Sequence, residues 1–367
     1  MKNKYYSLNA ILARQATYTI VIGERSNGKT YAVLEYGLQA FWEHREQFAI
    51  LRRWQDDFIG RRGQSMFANL VCNGEGVNVV SKITGGIWTD IYYYASKWYL
   101  CRYNDETGAR ETMEEPFAFG FAISAQEHDK GSSYPNIKNV LFDEFMTRGT
   151  YLQDEFVLFQ NTLSTIIRHK SDVRVFMLSN TVSKYGCPYF KEMGLTKVQN
   201  MKPGDIDVYK YGDSRLTVAI EYARPNKEGK LSDFYFAFDN PKLQMITSGS
   251  WEMDIYPHCP MKYKHRDICF EYFIKYDGEL LHAEIVQTED CLFTFIHRKT
   301  TELKDPDRDL IYDLEANPLP NVVRNFFKPS NKIAVRVLNV YRNDKVFYSD
   351  NETGEIMRNF LNACKTA

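Results

Sequence analysis

The eight residues Gly23-Glu24-Arg25-Ser26-Asn27-Gly28-Lys29-Thr30 carry the spacing G-x-x-x-x-G-K-[ST] of a loop that cradles phosphates. Each residue type has a task in that chemistry. The glycines let successive backbone N–H groups turn toward a triphosphate, and the N-terminus of a following helix adds positive potential. Lys29 would reach the β- and γ-phosphates and Thr30 Oγ1 would ligate Mg²⁺, so ATP with Mg²⁺ is the expected ligand. Far downstream, Asn139-Val140-Leu141-Phe142-Asp143-Glu144-Phe145 is an apolar run that ends in two carboxylates. Asp143 would hold the Mg²⁺ shell through water, and Glu144 would polarise the attacking water as general base. An Asp-Glu pair after an apolar run is otherwise the ordinary end of a strand entering a solvated turn; downstream of a phosphate loop it acquires this second meaning. Protein kinases use a different glycine-rich loop and base, and small GTPases lack a second acid of this type. The pair therefore favours an ATPase with a mechanical or remodelling role.

These groups need a scaffold that brings them to one edge. Thr17 to Ile22 reads as a buried strand before the loop, and Tyr31 to Glu46 as a helix after it, with Leu34, Leu38, Ala40 and Phe41 at helical spacing. Phe48 to Arg53 reads as a second strand, followed by a polar excursion from Gln55 to Gly63. Short alternating runs between Met66 and Tyr103, among them Val77-Asn78-Val79-Val80 and Trp88 to Tyr93, suggest an inserted antiparallel ribbon. Phe117 to Ser124 returns to strand character, Phe156 to Ile167 is helical, and Val173 to Thr181 is a buried strand closing on small polar residues. Asn180, at that strand's end, is either a sensor of the γ-phosphate or a cap of the turn. Leu216 to Tyr222 supplies a last strand, and the whole describes a doubly wound α/β domain.

Arg224-Pro225-Asn226-Lys227-Glu228-Gly229-Lys230 marks a domain boundary. The reading is an ATPase domain over 1–224, a connector over 225–255 with helical character from Leu231 to Met253, and a smaller α+β domain over 256–367. The last begins with a meander of Ile268 to Tyr276, Leu280 to Val286 and Leu292 to His297, its first turn at Asp277-Gly278. Composition sets the outer limits. Lys and Arg total 46 against 47 Asp and Glu, so nucleic acid must be met by local patches and not by bulk charge. Seven scattered cysteines without C-x-x-C fit a reducing compartment better than a disulfide framework. His258, Cys259, His265 and Cys269 match no standard zinc spacing. The N-terminus lacks a signal-peptide core and no run reaches the length of a membrane span, so the expectation is a soluble intracellular protein without membrane contact.

The combination resembles the DNA-packaging (encapsidation) ATPases of small tailed bacteriophages of the phi-29 type, relatives of large terminases. The resemblance rests on the phosphate loop, Leu51-Arg52-Arg53, Lys130-Gly131-Ser132-Ser133-Tyr134, the Val140 to Phe145 run, Arg168 and Met177-Leu178-Ser179-Asn180, and extends more weakly through the second domain. It implies a P-loop NTPase sheet of the additional-strand type, then an RNase H-like domain that has lost nuclease activity. It further implies a homo-oligomeric ring, a pentamer, that drives double-stranded DNA into a procapsid. Portal and structural RNA would be its docking partners, in the host cytoplasm at the portal vertex. Arg168 matches the position of a basic finger acting on the neighbouring subunit's γ-phosphate, and Lys130 a second basic residue acting in trans. Arg148 competes for the finger role, and Arg52, Arg53, Arg61 and Arg62 are candidates for contact with phosphates of ATP or DNA. In the second domain Asp267, Glu271, Glu284 and Asp290 are available acids, but Glu271 sits inside a strand opposite aromatic neighbours and no acidic pair stands at a strand end. A docking module is favoured there over a two-metal nuclease. The competing functions are a nucleotide-switched assembly protein and a complete terminase with an active nuclease.

Overall fold

The structure, a computed structural model, describes residues 6–25, 27–104, 106–125, 133–147, 151–168, 170–180, 187–225, 256–259, 261–276, 278–289, 291–343 and 345–366. Ser26, Lys130, Arg148, Asp290 and all of the expected connector beyond Pro225 lie outside these residues. The chain divides into two compact units, Met1–Ser250 and Trp251–Ala367.

Unit 1 is built on a 10-stranded sheet. Its strands are β1 (Tyr18–Gly23), β2 (Gln47–Arg52), β3 (Asp90–Tyr94), β4 (Lys97–Tyr103), β5 (Arg110–Thr112), β6 (Ala118–Ala122), β7 (Ile137–Asp143), β8 (Arg174–Asn180), β9 (Ile206–Lys210) and β10 (Thr217–Tyr222). The order is β3-β4-β6-β2-β7-β8-β1-β10-β9, with β5 on β4. From β6 to β10 every neighbour is parallel, and the antiparallel strands sit at the edges. Both faces of the parallel part are covered, which is why its strands read as continuous apolar runs. On one face the Lys29–His44 helix packs Val33, Leu34, Leu38 and Phe41 against Val21, Phe48, Ile50, Leu141 and Phe176. A Cβ at Gly37 would meet the Phe48 ring at 2.9 Å, so glycine lets this helix sit close to β2. On the other face the Glu155–Ile167 helix packs Phe159, Leu163 and Ile166 against Ile20, Ile22, Leu51, Val140 and Phe142.

Three parts of unit 1 depart from the sequence reading. Val77-Asn78-Val79-Val80 is the start of a helix, Val79–Thr84, and not a strand. The Asn78 side chain accepts from the Ser81 N–H at 2.8 Å and Gly85 closes the helix at φ +65°, so capping overrides the β propensity of the valines. The excursion after β2 contains a 3₁₀ turn, Gln55–Phe58, and a short helix, Arg61–Ser65. The antiparallel ribbon is confined to β3 and β4 with the short β5.

Unit 2 carries β11 (Ile268–Tyr276), β12 (Glu279–Gln287), β13 (Leu292–Arg298), β14 (Leu310–Asp313), β15 (Val322–Val323) and β16 (Val346–Tyr348) in the order β15-β14-β11-β12-β13-β16. The meander β11-β12-β13 is antiparallel, with Gly278 at φ +77° in its first turn; β14 joins β11 in parallel, β15 joins β14, and β16 joins β13. The Lys332–Tyr341 and Asn351–Thr366 helices cover Tyr272, Ile274, Leu281, Ala283 and Ile296 with Val337, Leu338, Met357 and Phe360. No helix among the described residues is long and apolar enough to cross a membrane. All seven cysteines are free.

One buried ion pair ties the sheet of unit 1 to its second helix layer. Arg53 donates from Nε and Nη2 to the Glu155 carboxylate at 2.7 and 2.8 Å, and from Nη2 to the Phe145 carbonyl at 2.7 Å. Glu155 also accepts from Tyr189 Oη at 2.7 Å and from the Leu152 N–H at 2.8 Å. Every strong donor and acceptor in this network is used, which is the condition for a buried charge to be tolerated. Glu155→Ala leaves the Arg53 guanidinium buried without its counter-charge and should lower the stability of unit 1 by about 3–5 kcal/mol, read by urea unfolding. A loss under about 1 kcal/mol would mean that water reaches Arg53 and the pair is not a buried one.

Candidate functional site

The register of the parallel strands delivers the chemistry-bearing residues to one edge. Gly23 lies opposite Asn180, and Asp143 opposite Leu178, because β8 sits between β1 and β7. The loop leaving β1 turns into the Lys29–His44 helix through Gly28 at φ +91°, a left-handed conformation that a Cβ disfavours. Asn27 Oδ1 accepts from the Lys29 N–H at 3.2 Å and from Lys29 Nζ at 3.1 Å, while Asn27 Nδ2 is buried without a partner. The loop is strapped from outside: the Tyr6 N–H donates to the Asn27 carbonyl at 3.0 Å, and Tyr6 Oη to Glu221 at 2.6 Å.

Lys29 is buried and donates from Nζ to the Glu24 carbonyl at 2.5 Å and the Gly23 carbonyl at 3.3 Å. Burial brings its ammonium down to about 8, against the pull of Asp143 and Glu24 in the other direction. Thr30 Oγ1 donates to Asp143 Oδ1 at 3.2 Å. Burial pushes the Asp143 carboxyl up, and the Arg52 guanidinium beside it holds it back. Arg52 spans both acids, donating from Nη2 to Asp143 at 3.0 Å and from Nη1 to Glu144 at 2.8 Å.

Glu144 leaves β7 at φ +59°, an uncommon conformation for a residue with a side chain. It is held there by its neighbours: the Phe145 N–H donates to the Leu178 carbonyl at 3.3 Å, and Arg53 grips the carbonyls of Glu144 and Phe145. The result turns the Glu144 carboxylate, 61% exposed, out into a cleft of about 360 Å³. Lys29, Thr30, Asp143 and Asn180 line the same cleft.

The remaining sequence candidates fall elsewhere. Arg53 is not available to a phosphate, because its guanidinium is buried against Glu155. Arg61, Arg62 and Arg168 are exposed; Arg168 follows the Glu155–Ile167 helix and is not among the cleft residues. Glu24 and Arg25 belong to the loop without lining the cleft. Asn69, Asn73 and Tyr31 do line it and were missed. The first two come from the Met66 to Tyr103 stretch read as a ribbon, Asn69 from a short helix, Ala68–Val71, and nothing local says that this segment folds back over the loop.

The donor set can be tested for fit to a phosphate and a divalent cation from these contacts alone. The buried Asn27 Nδ2 lacks an acceptor, and Lys29 is satisfied only by uncharged oxygens apart from its longer-range attraction to Asp143 and Glu24. A hydroxyl and a carboxylate 3.2 Å apart are the oxygen ligands that Mg²⁺ favours. The residues fit both groups.

A family model, podovirus DNA encapsidation protein (Gp16), matches residues 1–92 and 110–239, more than half of the chain. The chain belongs to this family. The DNA packaging protein of Bacillus phage phi29 is 26% identical over 240 residues, 63% of each chain, so the match spans less than two thirds of that relative. The DNA packaging protein of Bacillus phage B103 is 21% identical over 314 residues, 84% of this chain and 85% of the relative. Among solved structures, a chain of the bacteriophage phi-29 viral genome packaging motor assembly superposes with a TM-score of 0.57 over 97% of both chains at 18% identity. The likeness establishes the fold, a mixed α/β arrangement with a large, mainly parallel sheet.

Gly28→Ala should lower the stability of unit 1 by about 1–2 kcal/mol through the left-handed backbone alone, measured by thermal or urea unfolding. Gly28→Asn should cost less, since asparagine tolerates that conformation better. Equal losses in the two variants would remove the backbone explanation.

Proposed function

We propose that the chain is an ATPase that drives double-stranded DNA into a phage procapsid, working as a homo-oligomeric ring. The observation that carries the ATPase reading is the convergence of Lys29, Thr30, Asp143 and Glu144 on one cleft at the C-terminal edge of parallel strands. Packaging is supported by family membership and by relatives described as DNA packaging proteins. The position of β8 between β1 and β7 supports the additional-strand type of P-loop sheet.

In this reading Lys29 exchanges its carbonyl contacts for phosphate oxygens and Asn27 Nδ2 gains an acceptor. Thr30 and Asp143 would hold Mg²⁺, which supplies positive charge against the phosphates. Glu144 accepts the proton of the attacking water, oriented by its left-handed backbone and by Arg52. Asn180 offers its amide to the γ-phosphate. Arg168, exposed at a helix end, serves as the finger at a neighbouring subunit's site, with Lys130 a second basic residue in trans and Arg148 the competing finger; five subunits would close such a ring. Unit 2 supports an RNase H-like reading through its order of three antiparallel strands followed by two parallel ones. It acts as a docking module for portal or structural RNA. Glu271 does face Glu284 across β11 and β12, contrary to the aromatic surroundings expected from sequence, but histidines and a tyrosine surround this pair where a two-metal nuclease needs further acids.

Glu144→Gln should cut hydrolysis by about 10²–10⁴ while nucleotide affinity stays within a few-fold, since only the base is lost. Lys29→Ala should lose affinity and rate together. Hydrolysis by Glu144→Gln within a few-fold of the natural chain would remove Glu144 from the role. Stimulation of the natural chain's hydrolysis by double-stranded DNA and empty procapsids separates a motor from a nucleotide-switched assembly protein, which would show none.

The depressed Lys29 pKa gives a pH signature. Phosphate binding needs the charged ammonium and raises its pKa, so ATP affinity should be level below about pH 8. Above that it should fall by up to about tenfold per pH unit, with proton uptake visible as buffer-dependent heats in calorimetry. Affinity that is unchanged to pH 9.5 would contradict a buried Lys29 at the phosphate.

A further inference from the structure

The proposed motor leaves one cluster of unit 2 unused. Along β11, β12 and β13 the residues alternating with the helix-covered core bring Glu271 opposite Glu284, Phe273 opposite His282, and His282 opposite His297. His282, Glu284 and His297 each offer a ligand atom, all within 4.8 Å of one another. His297 Nε2 lies 3.8 Å from Glu284 Oε1, and His282 Nε2 lies 3.8 Å from Glu271 Oε1. Both separations are too long for a hydrogen bond. They are close to the span of two ligand atoms around one zinc ion, about 3.4 Å at the tetrahedral angle for bonds of about 2.0–2.2 Å.

The surroundings prepare these atoms as ligands. His297 Nδ1 is 3.1 Å from the Arg298 carbonyl. Donating its N–H there leaves the Nε2 lone pair facing Glu284, the arrangement by which metal-bound histidines are oriented. His282 Nε2 is buried and has no hydrogen-bond partner, a cost that a ligand would remove. Its ring is fixed by stacking on Phe273 at 4.8 Å and by an edge contact with His297 at 4.8 Å. Tyr263 Oη donates to Glu284 Oε2, leaving Oε1 for the cluster.

We propose that His282, Glu284 and His297 bind one Zn²⁺ ion that clips β12 and β13 together. Two imidazoles select a borderline transition metal over Mg²⁺ or Ca²⁺, and Glu271 of β11, 3.8 Å from His282 Nε2, flanks the site. The ligands come from two adjacent strands, so the ion favours the folded sheet by mass action.

The test is titration of the metal-stripped full-length chain with Zn²⁺ in excess Mg²⁺, and with Co²⁺ as the spectroscopic probe. The expected result is one equivalent of Zn²⁺, a higher melting temperature, and a cobalt spectrum free of thiolate charge transfer. His282→Ala and His297→Ala should each weaken binding by more than about tenfold. A variant combining His258→Ala and Cys259→Ser should bind as the natural chain does. Absence of a stoichiometric Zn²⁺ equivalent, a thiolate band in the cobalt spectrum, or unchanged affinity in both histidine variants would overturn the proposal. The cobalt spectrum uses the unaltered chain, so it decides the matter even where a histidine variant fails to fold.

Discussion

The cleft of unit 1 depends on where Arg53 puts its charge. A strand sends successive side chains to opposite faces, so Arg52 and Arg53 at the end of β2 diverge. Arg53 turns inward to Glu155 and grips the carbonyls after β7; Arg52 turns toward Asp143 and Glu144. Apolar residues of similar volume could replace the Arg53–Glu155 charges without their desolvation cost. They could not hold the Glu144 and Phe145 carbonyls, and with them the positive φ that aims Glu144 outward. The ion pair is thus a positioning device whose worth lies in geometry.

The electrostatics of the cleft follow from how tightly this frame is closed. Lys29 and Asp143 are both buried, and each is displaced by burial toward its neutral form. Arg52 offsets this for Asp143, with its own Nε left without a partner. The cleft holds its charges in a strained balance, and an arriving anion with its cation can relieve the strain on Lys29 and Asp143 together.

Much of this frame was legible in the sequence because local signals agreed. The phosphate loop is bracketed by an apolar strand and an amphipathic helix, and β7 and β8 read as buried runs ending in polar residues. Val79 and Val80 misled because a single capping side chain, Asn78, outweighed their propensity. The opposite fates of Arg52 and Arg53 were hidden, since two adjacent arginines look alike until the partners across the sheet are known. The same holds for Glu271: its own strand shows aromatic neighbours, while its facing residue, Glu284, is set by register. Short strands such as β14 to β16 carry too few residues for any period to show, and Asn69 and Asn73 enter the cleft through a long-range fold of the chain.

The sheet order also bears on how the protein comes into being. β1 precedes both of its neighbours, β8 and β10, in the chain, and Gly23 closes against Ala223, where a Cβ at Gly23 would meet that residue's Cβ at 3.1 Å. The loop's floor is therefore among the last parts of unit 1 to be synthesised. Until it arrives, β1 is an apolar strand with neither edge paired, the kind of segment that associates with other chains. Pairing across so much sequence is intrinsically slow. Maturation of the site thus waits for β10, and chaperone protection of the unpaired β1 would favour it.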